Sequence, residues 1–158
     1  MPRKPPSLAT VAIRLLARRE YGRAELAERL AARGGAADEV SAVLDGLEQQ
    51  GYLSDARFAQ ALVSQKAGRY GKRAIAHELR QRQVDPEVAR DALATVDTAD
   101  ELAEARAVWE RRFGTPPGND KERARQIRFL LARGYPTSVA VRIVRDAARR
   151  DADDPAGH

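Results

Sequence analysis

Apolar residues recur along this chain at intervals of three and four. Leu8, Ala12 and Leu15 fall together, with Ile13 and Leu16 beside them; Leu26 and Leu30 make the next pair, and Val40, Val43, Leu44 and Leu47 the set after it. That spacing lines one face of a helix, whose period is about 3.6 residues. The same rhythm continues through Ile75 and Leu79 and through Val139, Ala140, Ile143 and Val144. No stretch alternates apolar and polar residues with Val, Ile and Thr in the manner of a half-buried strand. The pattern predicts an all-α chain.

Boundary residues divide it into short helices. The first is expected to stop near Tyr21-Gly22, with Gly22 as N-cap of the second and Glu25 as half of a capping box. Gly34 suits the left-handed residue that closes a helix. A third helix is expected from about Asp38 to Gln50, ended by Gly51. Ser54 reads as the next N-cap, with Asp55 in the first turn where the helix dipole favours an acid. Asp85-Pro86 opens another helix, a cap followed by proline at the first helical position. The last three are expected near Thr98 to Arg112, Asp120 to Arg133 and Thr137 to Arg150.

The pattern is also a repeat. YGRAELAERLAARG (Tyr21 to Gly34) returns as YGKRAIAHELRQRQ (Tyr70 to Gln83). Anchored on leucine, LAARGGAADEVSAVL (Leu30 to Leu44), LRQRQVDPEVARDAL (Leu79 to Leu93) and LLARGYPTSVAVRIV (Leu130 to Val144) align without a gap. Arg33, Arg82 and Arg133 coincide; Gly34 and Gly134 coincide, with Gln83 between them. Tyr21, Tyr70 and Phe113 take one place, and the third copy inserts TPPGNDKE. Three three-helix repeats, helix-turn-helix-like, are therefore expected at 8–53, 54–97 and 98–150, the third with a loop insertion at 114–121. Disordered ends are expected at 1–7 and in an acidic tail at 151–158. Units of about 45 residues lie near the lower limit for folding alone. Stacking them would bury their remaining apolar stripes in an elongated, curved array.

Composition narrows the function. Of 158 residues, 43% are hydrophobic but only 5% aromatic, so Ala, Leu, Val and Ile must build the core. There is no cysteine, which excludes disulfides and thiolate metal sites and suits a reducing compartment. MPRKPPSLAT has no apolar stretch of signal-peptide length behind it, and no apolar run approaches the ~20 residues of a membrane span. The expectation is a soluble cytoplasmic protein without membrane attachment.

Chemistry-bearing residues are scarce. His77 and His158 are the only histidines and cannot make a zinc site of ordinary composition. His77 reads as a surface residue between Arg73 and Arg80. GRYGKR (Gly68 to Arg73) fails as a phosphate loop: Lys66 stands where glycine is needed and Arg73 where Ser or Thr is needed. The acidic tail, Asp151, Asp153 and Asp154, reads as a solvated segment, and Trp109 as core. The reading is of no enzyme, no cofactor and no metal.

Charge is the remaining signal. A net charge of +5 and a pI near 10.0 favour a polyanionic partner, nucleic acid or an acidic protein surface. Basic residues crowd the stretch from Lys66 to Arg82, where Arg73, His77 and Arg80 share the side away from Ile75 and Leu79. Lys121, Arg125 and Arg128 share a face in the third copy, with Phe129 at its border, expected to pack against the neighbouring module rather than stack on a base. Arg142, Arg145 and Arg149 share a face of the last helix. The candidate contact residues are thus Arg69, Lys72, Arg73, Arg80, Lys121, Arg125, Arg128, Arg142, Arg145 and Arg149. By contrast, Gly35 to Gln50 carries Asp38, Glu39, Asp45 and Glu48 with no base, and Val84 to Asp97 is acidic but for Arg90. A recognition helix must approach phosphates, so a sequence-reading repressor is not expected.

Three segments carry a family likeness: LLARREYGRAELAERLAARG (Leu15 to Gly34), LDGLEQQGYLSDARFAQALV (Leu44 to Val63) and GRYGKRAIAHEL (Gly68 to Leu79), with GYLSDARFA (Gly51 to Ala59) the most specific. From roughly Ala12 to Ala147 the chain resembles the bacterial regulatory protein RecX family. It departs at Gln83, where a glycine is usual, and at Gly35, where an aromatic is usual. The resemblance implies tandem three-helix repeats, binding to the RecA recombinase and its nucleoprotein filament, and modulation, chiefly inhibition, of its ATPase, recombinase and coprotease activities. It transfers no catalytic residue. A monomer with weak direct DNA binding is expected; the alternative is a helical-repeat protein that binds nucleic acid non-specifically without RecA.

Overall fold

The computed structural model describes residues 3–153. Among the described residues nine α-helices follow one another: α1 (Leu8–Leu16), α2 (Arg23–Ala32), α3 (Ala37–Gln49), α4 (Asp55–Lys66), α5 (Lys72–Gln81), α6 (Pro86–Leu93), α7 (Glu101–Arg112), α8 (Asp120–Ala132) and α9 (Thr137–Asp153). A single 3₁₀ turn, Thr98–Asp100, leads into α7. The described residues contain no strand.

Several expected caps are in place. Ser54 Oγ accepts from the Arg57 amide at 3.2 Å and Asp85 from the Glu87 amide at 2.9 Å. Gly34 and Gly134 take φ values of 92° and 94°, and Gly51 takes 81°. These are left-handed values that a residue with a side chain resists. Gln83, at the same place in the middle repeat, holds φ 57° despite its side chain.

Other expectations are corrected. The first helix stops at Leu16 rather than near Tyr21. Arg19 turns out of the helical path, donates to the Glu20 carbonyl at 3.0 Å and lies 3.6 Å above the Tyr21 ring. Gly22 does cap α2, but Glu25 makes no capping box. Its carboxylate is taken by the guanidinium groups of Arg19 and, at 2.7 Å, Arg82. The open first turn of α2 is capped from a distance instead, the Arg23 amide donating to Asp55 Oδ1 at 2.8 Å. At the other end, α9 continues through Asp153, past the end expected at Arg150. The expected disorder at residues 1–2 and 154–158 lies outside the described residues.

The chain divides into two compact units. One takes the residues up to Leu62 together with Leu79–Ala92. Its core gathers Val11, Ala12, Tyr21, Leu26, Leu30, Val40, Leu44, Leu47 and Leu53. In this unit GYLSDARFA does structural work. Phe58 is buried against Gly22, where an added Cβ would come within 3.2 Å of its ring. Arg57 donates to Glu20 at 2.9 Å and to the Gly51 carbonyl at 2.7 Å.

The other unit takes Val63–Glu78 with the residues from Leu93 on. Its core gathers Ala105, Val108, Trp109, Leu130, Tyr135, Ala140, Ile143 and Val144. Trp109 is core, as expected, and its Nε1–H donates to the buried Gln126 Oε1 at 2.9 Å. Phe129, expected against the neighbouring module, packs instead with its own repeat, edge-on to Phe113 with ring centroids 5.3 Å apart.

Candidate partner-binding surface

Helix α9 buries Ala140, Ile143 and Val144 and turns Val141, Arg142, Arg145 and Arg149 outward. Alongside, α8 buries Gln126 and Leu130 and leaves Arg123 exposed. A groove of about 330 Å³ opens here, lined by Ile127, Val141, Val144 and Ala148 and rimmed by Arg123, Arg145 and Arg149. None of these three arginines is ion-paired among the described residues. An unpaired guanidinium beside apolar surface keeps its five donors for an outside acceptor, and its planar fork fits carboxylate and phosphate alike. The arrangement can bind; it offers no nucleophile or base.

The remaining candidates are distributed less favourably. Arg142 is exposed, but its Nε lies 3.8 Å from Asp146, a carboxylate that Arg106 also approaches at 3.7 Å. Arg125 stands 5.8 Å from the Phe113 centroid, and Arg112 lies 5.1 Å from the same ring. Lys121 and Arg128 are exposed on α8. Arg69 turns back, donating to the Gln65 carbonyl at 2.9 Å. Lys72 and Arg73 line a second groove, of about 300 Å³, whose wall includes the buried Glu101. That carboxylate offsets part of their charge, so the groove suits a polyanion less well. Arg80, on the last turn of α5, is exposed and belongs to the first unit. His77 is a surface residue, as read.

Near the second groove the electrostatics are those of crowded acids. Burial pushes the Glu104 carboxyl up, and Asp100 and Glu101 push it further. Tyr135 is pushed up to about 12, first by burial and then by Glu104. Its hydroxyl is buried and meets no hydrogen-bonding partner among the described residues.

Sequence reasoning selected Arg145 and Arg149 from their four-residue spacing but missed Arg123. That residue joins them only because α8 lies against α9, and no signal in its own segment says so. No group of His, Cys, Asp or Glu among the described residues could hold a metal ion, and no described helix is long and apolar enough to cross a membrane.

Comparison with known proteins places the chain in a family. Models described as the first, second and third three-helix domains of RecX match residues 10–47, 54–93 and 99–144. The chain is 43% identical over 157 residues to a "Regulatory protein RecX" of Ralstonia nicotianae, covering 98% of each. A protein of the same name from Halorhodospira halophila is 45% identical over 148 residues, covering 92% of this chain and 89% of that one. Among solved structures, RecX from Lactobacillus salivarius superposes with a TM-score of 0.72 over 90% of this chain and 95% of that one, at 16% identity.

Proposed function

The chain belongs to the RecX family of regulatory proteins, and from that membership we propose that it binds the RecA recombinase and its filament on DNA. It restrains RecA's ATPase, strand-exchange and coprotease activities by occupying surface, with no turnover of its own. It works in the cytoplasm, as a monomer, with only weak direct affinity for DNA. The observation that carries the reading is the α8–α9 groove, where an apolar floor meets three arginines that have no ion pair among the described residues. A purely phosphate-tracking surface has no use for such a floor, whereas an acidic protein surface with apolar residues fills it.

The test is RecA's DNA-dependent ATPase titrated with this protein, beside a DNA-binding curve at two salt concentrations. Inhibition at protein concentrations too low for direct DNA binding is the expected result. Uninhibited ATPase together with tight, steeply salt-dependent DNA binding would instead support a DNA-binding protein that acts without RecA.

A further inference from the structure

The three repeats carry one arginine in common, and it is engaged twice and idle once. Arg82 holds the buried Glu25 at 2.7 Å. Arg133 lies 4.5 Å above the Tyr70 ring, and its carbonyl accepts from the Gly71 amide at 2.8 Å. In both joints the arginine at the end of one repeat's second helix meets the start of the preceding repeat's second helix, entered through Tyr-Gly. Arg33 lies in the first of the three repeats. It is exposed and without an ion pair among the described residues.

The backbone beside it is equally vacant. A Cβ on Gly134 would strike the Ala74 amide nitrogen and Cβ at 2.5 Å, whereas one on Gly34 would meet nothing within 4 Å. At the next position the third repeat buries Tyr135 and the second Val84, while the first has Gly35. The space a larger side chain would have claimed is partly taken by Leu8 and Val40. A groove of about 600 Å³ remains, lined by Leu8, Arg33, Gly34, Gly35, Glu39 and Val43 among others.

We propose that this face is an open copy of the internal joint and docks a helix N-terminus of another protein. That helix is entered through an aromatic–glycine pair and carries a carboxylate in its first turn. The aromatic covers Arg33 as Tyr70 covers Arg133, the glycine admits the close backbone approach, and the carboxylate answers Arg33 as Glu25 answers Arg82. A second copy of this chain is a poor occupant. Its Tyr21-Gly22 and Tyr70-Gly71 starts are already packed. Its third repeat has the TPPGNDKE insertion and places Arg125, of like charge to Arg33, where Glu25 stands in the first. The inference is independent of whether the partner is RecA.

The probe is a peptide with the sequence of residues 66–81 and the changes Ala74→Glu, His77→Lys and Gln81→Glu, the last two side chains condensed to a lactam that holds it helical, since a free peptide of this length is marginally helical at best. It is titrated into the full-length protein and followed by amide chemical shifts. Saturable shifts at Arg33, Gly34, Gly35 and Val43 are expected, with affinity falling roughly tenfold for Arg33→Glu, the loss that charge reversal in a close pair produces. Arg33→Gln should fall between the two, and both variants should keep the parent's circular dichroism. A peptide with Tyr70→Ala and Gly71→Val should not bind. The proposal is overturned by absent shifts, by shifts at Gly134 instead, by equal binding of the two peptides, or by sedimentation showing self-association that Arg33→Glu abolishes.

Discussion

Gly71 and Gly134 touch backbone to backbone: a Cβ added to Gly71 would lie 2.3 Å from the Gly134 carbonyl oxygen. No side chain can give way there, because the obstacle is main chain. Gly71→Ala is expected to lower stability by about 2–3 kcal/mol, the upper range for forced overpacking. Urea unfolding followed by circular dichroism checks this; a loss under about 0.5 kcal/mol would mean the contact is slack.

Gln83 holds a left-handed conformation that its glycine counterparts accept freely. Gln83→Gly should therefore stabilise the protein, by about 1 kcal/mol, read as a higher urea midpoint at unchanged slope. Gly34→Ala, at φ 92°, should shift the midpoint down by a similar amount.

Glu25 is buried and shared by two arginines whose side chains are themselves 47% and 43% exposed. Water screens the arginines, so the whole cluster contributes less than a fully enclosed one. Glu25→Gln should cost about 1–2 kcal/mol, and Arg82→Ala less, since Arg19 stays on the carboxylate. A double-mutant cycle between Glu25 and Arg82 isolates that pair.

Arg145→Glu with Arg149→Glu should weaken inhibition of RecA's ATPase while leaving the unfolding free energy within about 0.5 kcal/mol of the parent, as expected for exposed positions. Arg142→Glu is the internal control: Asp146 already engages that residue, so a smaller effect on inhibition is expected. Arg73→Glu with Arg80→Glu tests the α5 placement in the same assay. Full inhibition by a folded double variant would remove that helix from the contact.

Glu104 has its folded-state pKa raised by burial and neighbouring acids. Below the unfolded-state pKa both states are protonated and there is no effect on stability. As pH rises through the folded pKa the native state must ionise a crowded carboxyl, and stability falls. Glu104→Gln should therefore stabilise at neutral pH and lose that advantage in acid. An advantage of equal size at pH 3 and pH 7 would assign the gain to packing.

Local rules carried much of this fold into the sequence. Ser54, Asp85, Gly34 and Gly51 act through neighbours a few residues away, and the leucine spacing marks the buried helix faces. Sequence reading failed where two distant segments meet. Glu25 looked like a capping-box acid because its spacing from Gly22 was right, yet Arg82 claims it from far along the chain. The empty first turn of α2 gave no hint that Asp55 would fill it. Gly134 aligned with Gly34, but nothing in either segment said that Gly71 would lie against the Gly134 carbonyl. The basic faces were visible as spacing on α9, but that Arg142 was spoken for depended on Asp146.

Within the run from Gly51 to Ala59, Asp55 and Arg57 are spent on α2 and on Glu20. A screen for inactive variants would therefore collect hits at Asp55, Arg57 and Phe58 that report a collapsed scaffold, with the binding face merely carried down alongside. Variants at Arg123, Arg145 or Arg149 that stay folded and fall silent are the ones that would mark where the regulator takes hold.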